Sequence, residues 1–341
     1  MTLSRRRFIA ASLAAAAGTA LGGYAIHRMG QHIKPAEPPA TSKVFIADAS
    51  NRSEGIERLL EKFDAAPFKG VKVALKANYN SADPFPASTH IETLSSIVEV
   101  LKSTGASEIV MAERSGMGNT REVLEIRGVF KLADRLGFKA IPLDEILGEG
   151  WLEINHEGLH WLRGFKISKI FTEADVVVQT CCLKTHRFGG HITMSLKNSV
   201  GMVAKKDPSE PYDYMIELHT SPFQRLMIAE INRFYNVGLV VMDATQGFTT
   251  AGPEQGTLVK PNLILASMDR VAIDAVGVAL LRSYGSTDEV MRGHIFNLEQ
   301  ISRAAELGVG VRAVSGIRLV PLDKESEIAA GKIQAILDTQ G

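Results

Sequence analysis

Val176 to Leu183 is an apolar run broken only by Gln179 and Thr180. It reads as a strand covered on both faces, as in a parallel sheet. Where that strand should emerge, the chain turns polar at Lys184-Thr185-His186-Arg187. Gly189-Gly190 then turn the chain, and a helix is expected from about His191 to Met202, carrying Lys197 and Asn198. Strand, polar tip, glycine turn and helix form the layout that seats ligands at the carboxyl edge of an open α/β sheet.

The flanking sequence repeats this rhythm. Short apolar runs at Val44–Ala47, Val71–Leu75, Glu108–Ala112 and Lys139–Leu143 alternate with helical patterns at Ser53–Phe63, His90–Ser103 and Thr120–Leu136. Alternation of this kind predicts a doubly wound, mostly parallel sheet with helices on both faces. Residues 151–167 break the rhythm. Leu152-Glu153-Ile154 and Leu159-His160-Trp161 flank Glu157-Gly158, which predicts a small hairpin insert. Further on, a helix is expected over Pro222–Tyr235 and a strand over Leu239–Met242 that ends at Asp243, followed by a long Gly- and Thr-rich loop, Ala244–Lys260.

The start of the chain reads differently from the body. Ser4-Arg5-Arg6-Arg7-Phe8-Ile9 precedes an Ala-rich, weakly hydrophobic run to Ala25. Paired arginines before such a run mark a twin-arginine export signal, so residues 1–26 are expected to be a leader or membrane anchor, with the translocase as a transient partner. The expected location is the periplasm, free or tethered to the outer side of the inner membrane through an uncut leader. Residues 27–42 are Pro-rich and polar, a linker, and residues 43–341 form the α/β body. Residues 1–30 contain four Arg and no acid, while the whole chain balances 38 bases against 38 acids, so the body is slightly acidic. That argues against a nucleic-acid footprint. The two cysteines, Cys181 and Cys182, are adjacent in the buried strand and read as small hydrophobic residues. Two cannot hold an iron–sulfur cluster, so none is expected.

Four predicted strands end in functional side chains: Lys76 and Asn78, Glu113 and Ser115, Lys184 and His186, and Asp243. Polar residues at any one strand exit are ordinary loop solvation. Four such ends on one edge of a parallel sheet point to a shared crevice. Lys76, Lys184, Arg187 and Lys197, with a helix N-terminus near Gly190-His191, suit a carboxylate or phosphate. Asn78 and Asn198 would orient that ligand. His186, Glu113 and Asp243 are the acid–base candidates. His186, His191 and Asp243 offer nitrogen and oxygen ligands to a divalent metal, although His-x₄-His across a glycine turn is not a metal signature. No G-x-S-x-G elbow and no G-x-G-x-x-G fingerprint occurs.

These residues also resemble a known family. The segment LKTHRFGGHITMSLKNSVGMV is similar to the hallmark of the family called domain of unknown function 362, in which a buried strand precedes a Lys-x-His element and a later Lys-Asn pair. Lys76-Ala77-Asn78, Thr89-His90, Asp243 with Gly252-Pro253, and Asp269-Arg270-Val271-Ala272-Ile273-Asp274 extend the likeness from about Val71 to Gly310. Some relatives carry ferredoxin-type clusters, whose cysteines this chain lacks. A more distant likeness, in the Lys and His arrangement, is to the substrate domain of nickel-dependent lactate racemases. The expectation is therefore an exported α/β protein, an enzyme acting on a small anionic substrate with or without a metal. The alternative is a ligand-binding or cofactor-delivery protein that uses the same pocket without turnover.

Overall fold

A computed structural model describes residues 40–63 and 68–341. The leader expected over residues 1–26 lies outside the described residues, as does most of the linker. In chain order the elements are β1 (Ser42–Asp48), α1 (Arg52–Leu60), β2 (Lys72–Lys76), α2 (Ile91–Ser103), β3 (Glu108–Glu113), α3 (Thr120–Ile126), α4 (Val129–Leu136) and β4 (Lys139–Pro142). Then come β5 (Trp151–Ile154), β6 (Phe165–Ser168), α5 (Lys169–Thr172), β7 (Val176–His186), β8 (His191–Ile192) and α6 (Ser195–Asn198), which runs on into a 3₁₀ turn at Ser199–Met202. The remainder is α7 (Tyr214–Thr220), α8 (Gln224–Ile231), β9 (Val237–Phe248), β10 (Leu258–Val259), β11 (Leu263–Ser267), α9 (Arg270–Ser283), α10 (Asp288–Met291), α11 (Glu299–Glu306), β12 (Ile317–Pro321) and α12 (Lys324–Gln340).

The main sheet runs β12-β1-β11-β9-β7-β2-β3-β4, with β10 beside β9 and β8 beside β7. Along that path every neighbouring pair is parallel except the two made by β11, which runs against β1 and β9. The fold is α/β with a mostly parallel sheet covered on both faces. Alternation along the strands explains the covering. Val73 and Leu75 of β2 join Ile109 and Met111 of β3 against α1, α2, α3 and α4. Ala74 and Ala112, between them, face the other side with β5, β6, α7 and α8. On that same side Val240 and Met242 of β9 pack against α9 and α12. β7 has no exposed residue over its eleven positions, as the apolar run predicts. No helix among the described residues is long and apolar enough to cross a membrane.

Several expected boundaries are corrected. The hairpin insert exists, but Trp151–Ile154 pairs with Phe165–Ser168 and not with Leu159–Trp161. Phe165 and Ile167 are wholly buried beneath the sheet, and Trp161 packs beside Phe165 in the same cluster without joining the ladder. The helix expected over Thr120–Leu136 breaks at Gly128, whose φ of +74° is incompatible with continuing an α-helix. The Asp243 strand does not stop at Asp243. It continues to Phe248 past a register irregularity against β7, and with β10 this makes seven residues of the expected loop paired strand.

Candidate functional site

β9, β7, β2 and β3 are successive parallel neighbours, so their carboxyl ends share one edge. A cleft opens there, lined by Lys76, Asn78, Asn80, Glu113, Arg114, Lys184, His186, Thr193, Lys197, Asn198, Val200, Gly201 and Pro253, with about 420 Å³ of empty space including its mouth. Asp243 and His191 are not among the lining residues.

The floor is a buried ion pair. Lys76 Nζ lies 2.7 Å from Glu113 Oε1, with both side chains sealed from solvent. Its other contacts are Ala77 O at 2.5 Å and Asn198 Oδ1 at 3.0 Å, so all three ammonium donors are used. Lys76 is thus a counter-charge to Glu113, not the free anion contact expected from sequence. Glu113 in turn accepts from the backbone amides of Tyr79 (2.9 Å) and Arg114 (2.9 Å). Three of the four lone-pair positions of this carboxylate are taken by an ammonium and two amides, so its main engagement is structural, unlike the free general base expected. Asn198 is a strap: its Nδ2 donates to Thr180 O at 3.1 Å and Lys76 O at 3.4 Å, tying α6 to β7 and β2.

Above this floor stand three cations with no ion-pair partner among the described residues. Arg114 is buried, and its guanidinium donates only to Val203 O, Val200 O and Met215 Sδ. Lys184 is buried and donates to Asn78 Oδ1 at 2.6 Å and to Ala87 O, which leaves one donor free. Lys197, partly exposed, makes no hydrogen bond or ion pair among the described residues. Burial, with the positive charges of Arg114 and Lys184, lowers its pKa to about 7. The sequence reading missed Arg114, Asn80 and Thr193. Arg114 directly follows Glu113 at a strand end, and that position was its available signal.

His186 lies at the rim, 6% exposed. Burial, and then the charges of Lys197 and its neighbours, hold the ring well below the usual imidazole pKa, so it is neutral. Its Nδ1 accepts from the Gly190 amide at 3.3 Å, which places the proton on Nε2.

The expected metal set does not assemble. Asp243 is saturated by Arg52 Nε (2.9 Å), Thr93 Oγ1 (2.6 Å) and the amide and hydroxyl of Thr245 (3.0 and 2.7 Å), a clamp between β9, α1 and α2. This also removes it from the acid–base candidates. His191 is the cross-strand partner of His186 in the β7–β8 pair, but it adopts φ +60° and the charges acting on its ring are those of Arg225, Glu289 and Glu299. Among the described residues no three His, Cys, Asp or Glu side chains are grouped to hold a metal ion.

The helix N-terminus expected at Gly190-His191 is also corrected. Thr185 and His186 pair antiparallel with Ile192 and His191, so this segment is a hairpin. The helix begins only at Ser195, and its first amides already have an anion. Ser195 N and Leu196 N donate to Asp274 at 2.8 and 2.9 Å.

Residues 73–279, more than half of the chain, match the family described as Domain of unknown function (DUF362). The protein belongs to that family. The matched span contains every residue lining the cleft, from Lys76 to Pro253, and the Asp274 that anchors α6. No curated protein matches the chain. Among solved structures, this DUF362 protein is similar to the lactate racemase apoprotein from Thermoanaerobacterium thermosaccharolyticum, at 16% identity and a TM-score of 0.39. The match covers 63% of this chain and 52% of the racemase, so it spans about half the length of that protein.

Proposed function

We propose that the cleft binds a small carboxylate- or phosphate-bearing molecule and that the protein is an enzyme acting on it. The observation that supports this is the charge imbalance. Arg114, Lys184 and Lys197 converge on one cleft, while its one carboxylate, Glu113, is already matched by Lys76. A buried charge without a counter-ion costs on the order of several kcal/mol, and an incoming anion offsets that cost. In this reading Arg114 and Lys184 hold the anion. The amide nitrogen of Asn78, whose oxygen faces Lys184, orients it. Lys197 and the Nε2–H of His186 are the reacting side chains, since perturbed and unpaired groups in a cleft are poised for chemistry.

One observation favours the second reading, a binding or delivery protein without turnover: the only lining carboxylate is already held by Lys76 and two backbone amides. Calorimetric titration of the purified protein with inorganic phosphate, oxalate and pyruvate tests binding. The expected result is saturable binding of at least one of them, weakened roughly 10- to 100-fold in Lys184→Ala, as for loss of a charged hydrogen bond. Absence of binding by all three removes the proposal. Proton NMR of pyruvate in heavy water separates the two readings, because catalysed exchange of its methyl hydrogens above the protein-free rate requires chemistry.

The arginine-rich start supports a second, independent proposal, export by the twin-arginine translocase. A tagged full chain is expected in the periplasmic or membrane fraction, and in the cytoplasm once Arg5, Arg6 and Arg7 are replaced by lysine. An unchanged distribution rules that route out.

A further inference from the structure

Lys197 differs from the other two lysines of the cleft. Lys76 and Lys184 are each locked onto oxygen acceptors, while the Lys197 amine has no partner among the described residues. Its backbone, by contrast, is held at both ends. Asp274 grips the first two amides of α6, and Asn198 straps its last residue to β2 and β7. A rigid base carrying a free amine is what a nucleophile requires and what a solvated surface lysine lacks. Gly190 brings a second group close: a Cβ there would lie 2.7 Å from His186 Nδ1 and 3.2 Å from Lys197 Cε, so both side chains meet the same point of the cleft wall. The charges acting on the amine are those of Arg114 and Lys184, both cationic. They favour the free base of Lys197 and also place an anion beside it.

We propose that Lys197 forms an imine with the carbonyl carbon of a 2-oxo carboxylate whose carboxylate is held by Arg114 and Lys184. This rests on the anion-binding reading and names its substrate class. The amine lone pair attacks the carbonyl carbon, the C–N bond forms, and the carbonyl π pair moves to oxygen, which takes a proton and becomes the carbinolamine hydroxyl. The Nε2–H of His186 donates a hydrogen bond to that oxygen as charge gathers on it. The nitrogen gives up one proton to solvent. Its lone pair then expels the hydroxyl, which leaves as water with a proton taken from solvent. One amine, one carbonyl and one proton become one protonated imine and one water.

The test is reductive trapping. The purified full chain is incubated with pyruvate or 2-oxoglutarate, treated with sodium borohydride and weighed by intact-mass spectrometry, followed by peptide mapping. The expected result is one reduced adduct per chain on Lys197, lost in Lys197→Arg, with a trapping rate that rises as pH rises through about 7. Adduct spread over other lysines, or no adduct with either acid, overturns the proposal. The wild-type map decides this even if Lys197→Arg fails to fold. Calorimetric binding of oxalate to the wild type keeps the two readings apart. Binding without trapping leaves the anion site standing and removes the imine, whereas loss of both removes the anion site as well.

Discussion

Lys76 Nζ and Glu113 Oε1 lie 2.7 Å apart at the ends of the adjacent parallel strands β2 and β3, and neither side chain is more than 2% exposed. The pair sets the electrostatics of the cleft, because it removes the only lining carboxylate from the balance. Replacing one partner leaves the other charge buried alone. Glu113→Gln is expected to destabilise the protein by about 3–5 kcal/mol. Urea denaturation measures this, and a loss below 1 kcal/mol would mean that the pair is not buried in solution as described.

Gly201 packs directly on that pair. A Cβ there would sit 2.6 Å from Glu113 Oε1 and 2.8 Å from Lys76 Cε and Nζ. The pair cannot retreat, since every ammonium donor is engaged. Gly201→Ala is expected to cost about 1–3 kcal/mol, as overpacking does, and to weaken anion binding. A variant that melts like wild type and binds oxalate equally well would show the turn to be looser than this.

Lys197→Met should act in the opposite direction on the empty protein. Its pKa of about 7 lies below the value of an unfolded lysine, so the folded state binds fewer protons between that pH and about 10.5. The penalty for burying the charge is complete below pH 7 and is relieved as pH rises. The substitution is therefore expected to stabilise the ligand-free protein at pH 6 by on the order of 1–3 kcal/mol, with a smaller gain at pH 9. Thermal melts at the two pH values would refute this by showing an equal or reversed effect.

Asp274 gives the other pH signature. Burial raises its carboxyl to about 7 even though the amides of Ser195 and Leu196 favour the charged form. Below about pH 4 the carboxyl is protonated in folded and unfolded chains alike. Between there and pH 7 the unfolded chain ionises first, so the contribution of Asp274 to stability falls as pH rises and levels off above 7. Asp274→Asn is expected to lose about 1–3 kcal/mol at neutral pH, because its amide nitrogen faces two backbone donors, and to flatten the slope between pH 4 and 7. Stability curves with the same slope in both proteins would contradict the assignment.

Asp243 separates structure from site. Its four donors come from Arg52, Thr93 and Thr245, and it does not line the cleft. Asp243→Asn is expected to lower stability by about 1–3 kcal/mol and to leave oxalate affinity in the folded protein unchanged. A large fall in affinity at full folding would return Asp243 to the site.

The sheet was legible because its strands are short apolar runs with polar exits. The four exits singled out in the sequence, at Lys76, Glu113, Lys184 and Asp243, do fall on adjacent strands. What each side chain does there was not legible. Lys76 and Lys184 look alike in the sequence, yet one is neutralised by Glu113 and the other is not, a difference made by residues far apart in the chain. The Gly189-Gly190 turn followed by a helical pattern gave no sign that the chain would first fold back as β8, or that Asp274 would already occupy the N-terminus of α6. The hairpin partner was misassigned because Leu159-His160-Trp161 and Phe165–Ser168 both carry a strand's apolar pattern. Both bury aromatic residues in the same cluster, Trp161 beside Phe165, and only Phe165–Ser168 takes the ladder against Trp151–Ile154.

Three of the four cleft cations depend on a distant stretch of chain: Lys76 on Asn198, 122 residues away, Lys184 on Asn78, 106 away, and Arg114 on Val203, 89 away. Contacts of such sequence separation form late, once long loops have closed. A chain that stops short of α6 has neither Lys197 nor the Asn198 that receives Lys76, so the proposed anion site needs both halves of the sheet edge in place at once.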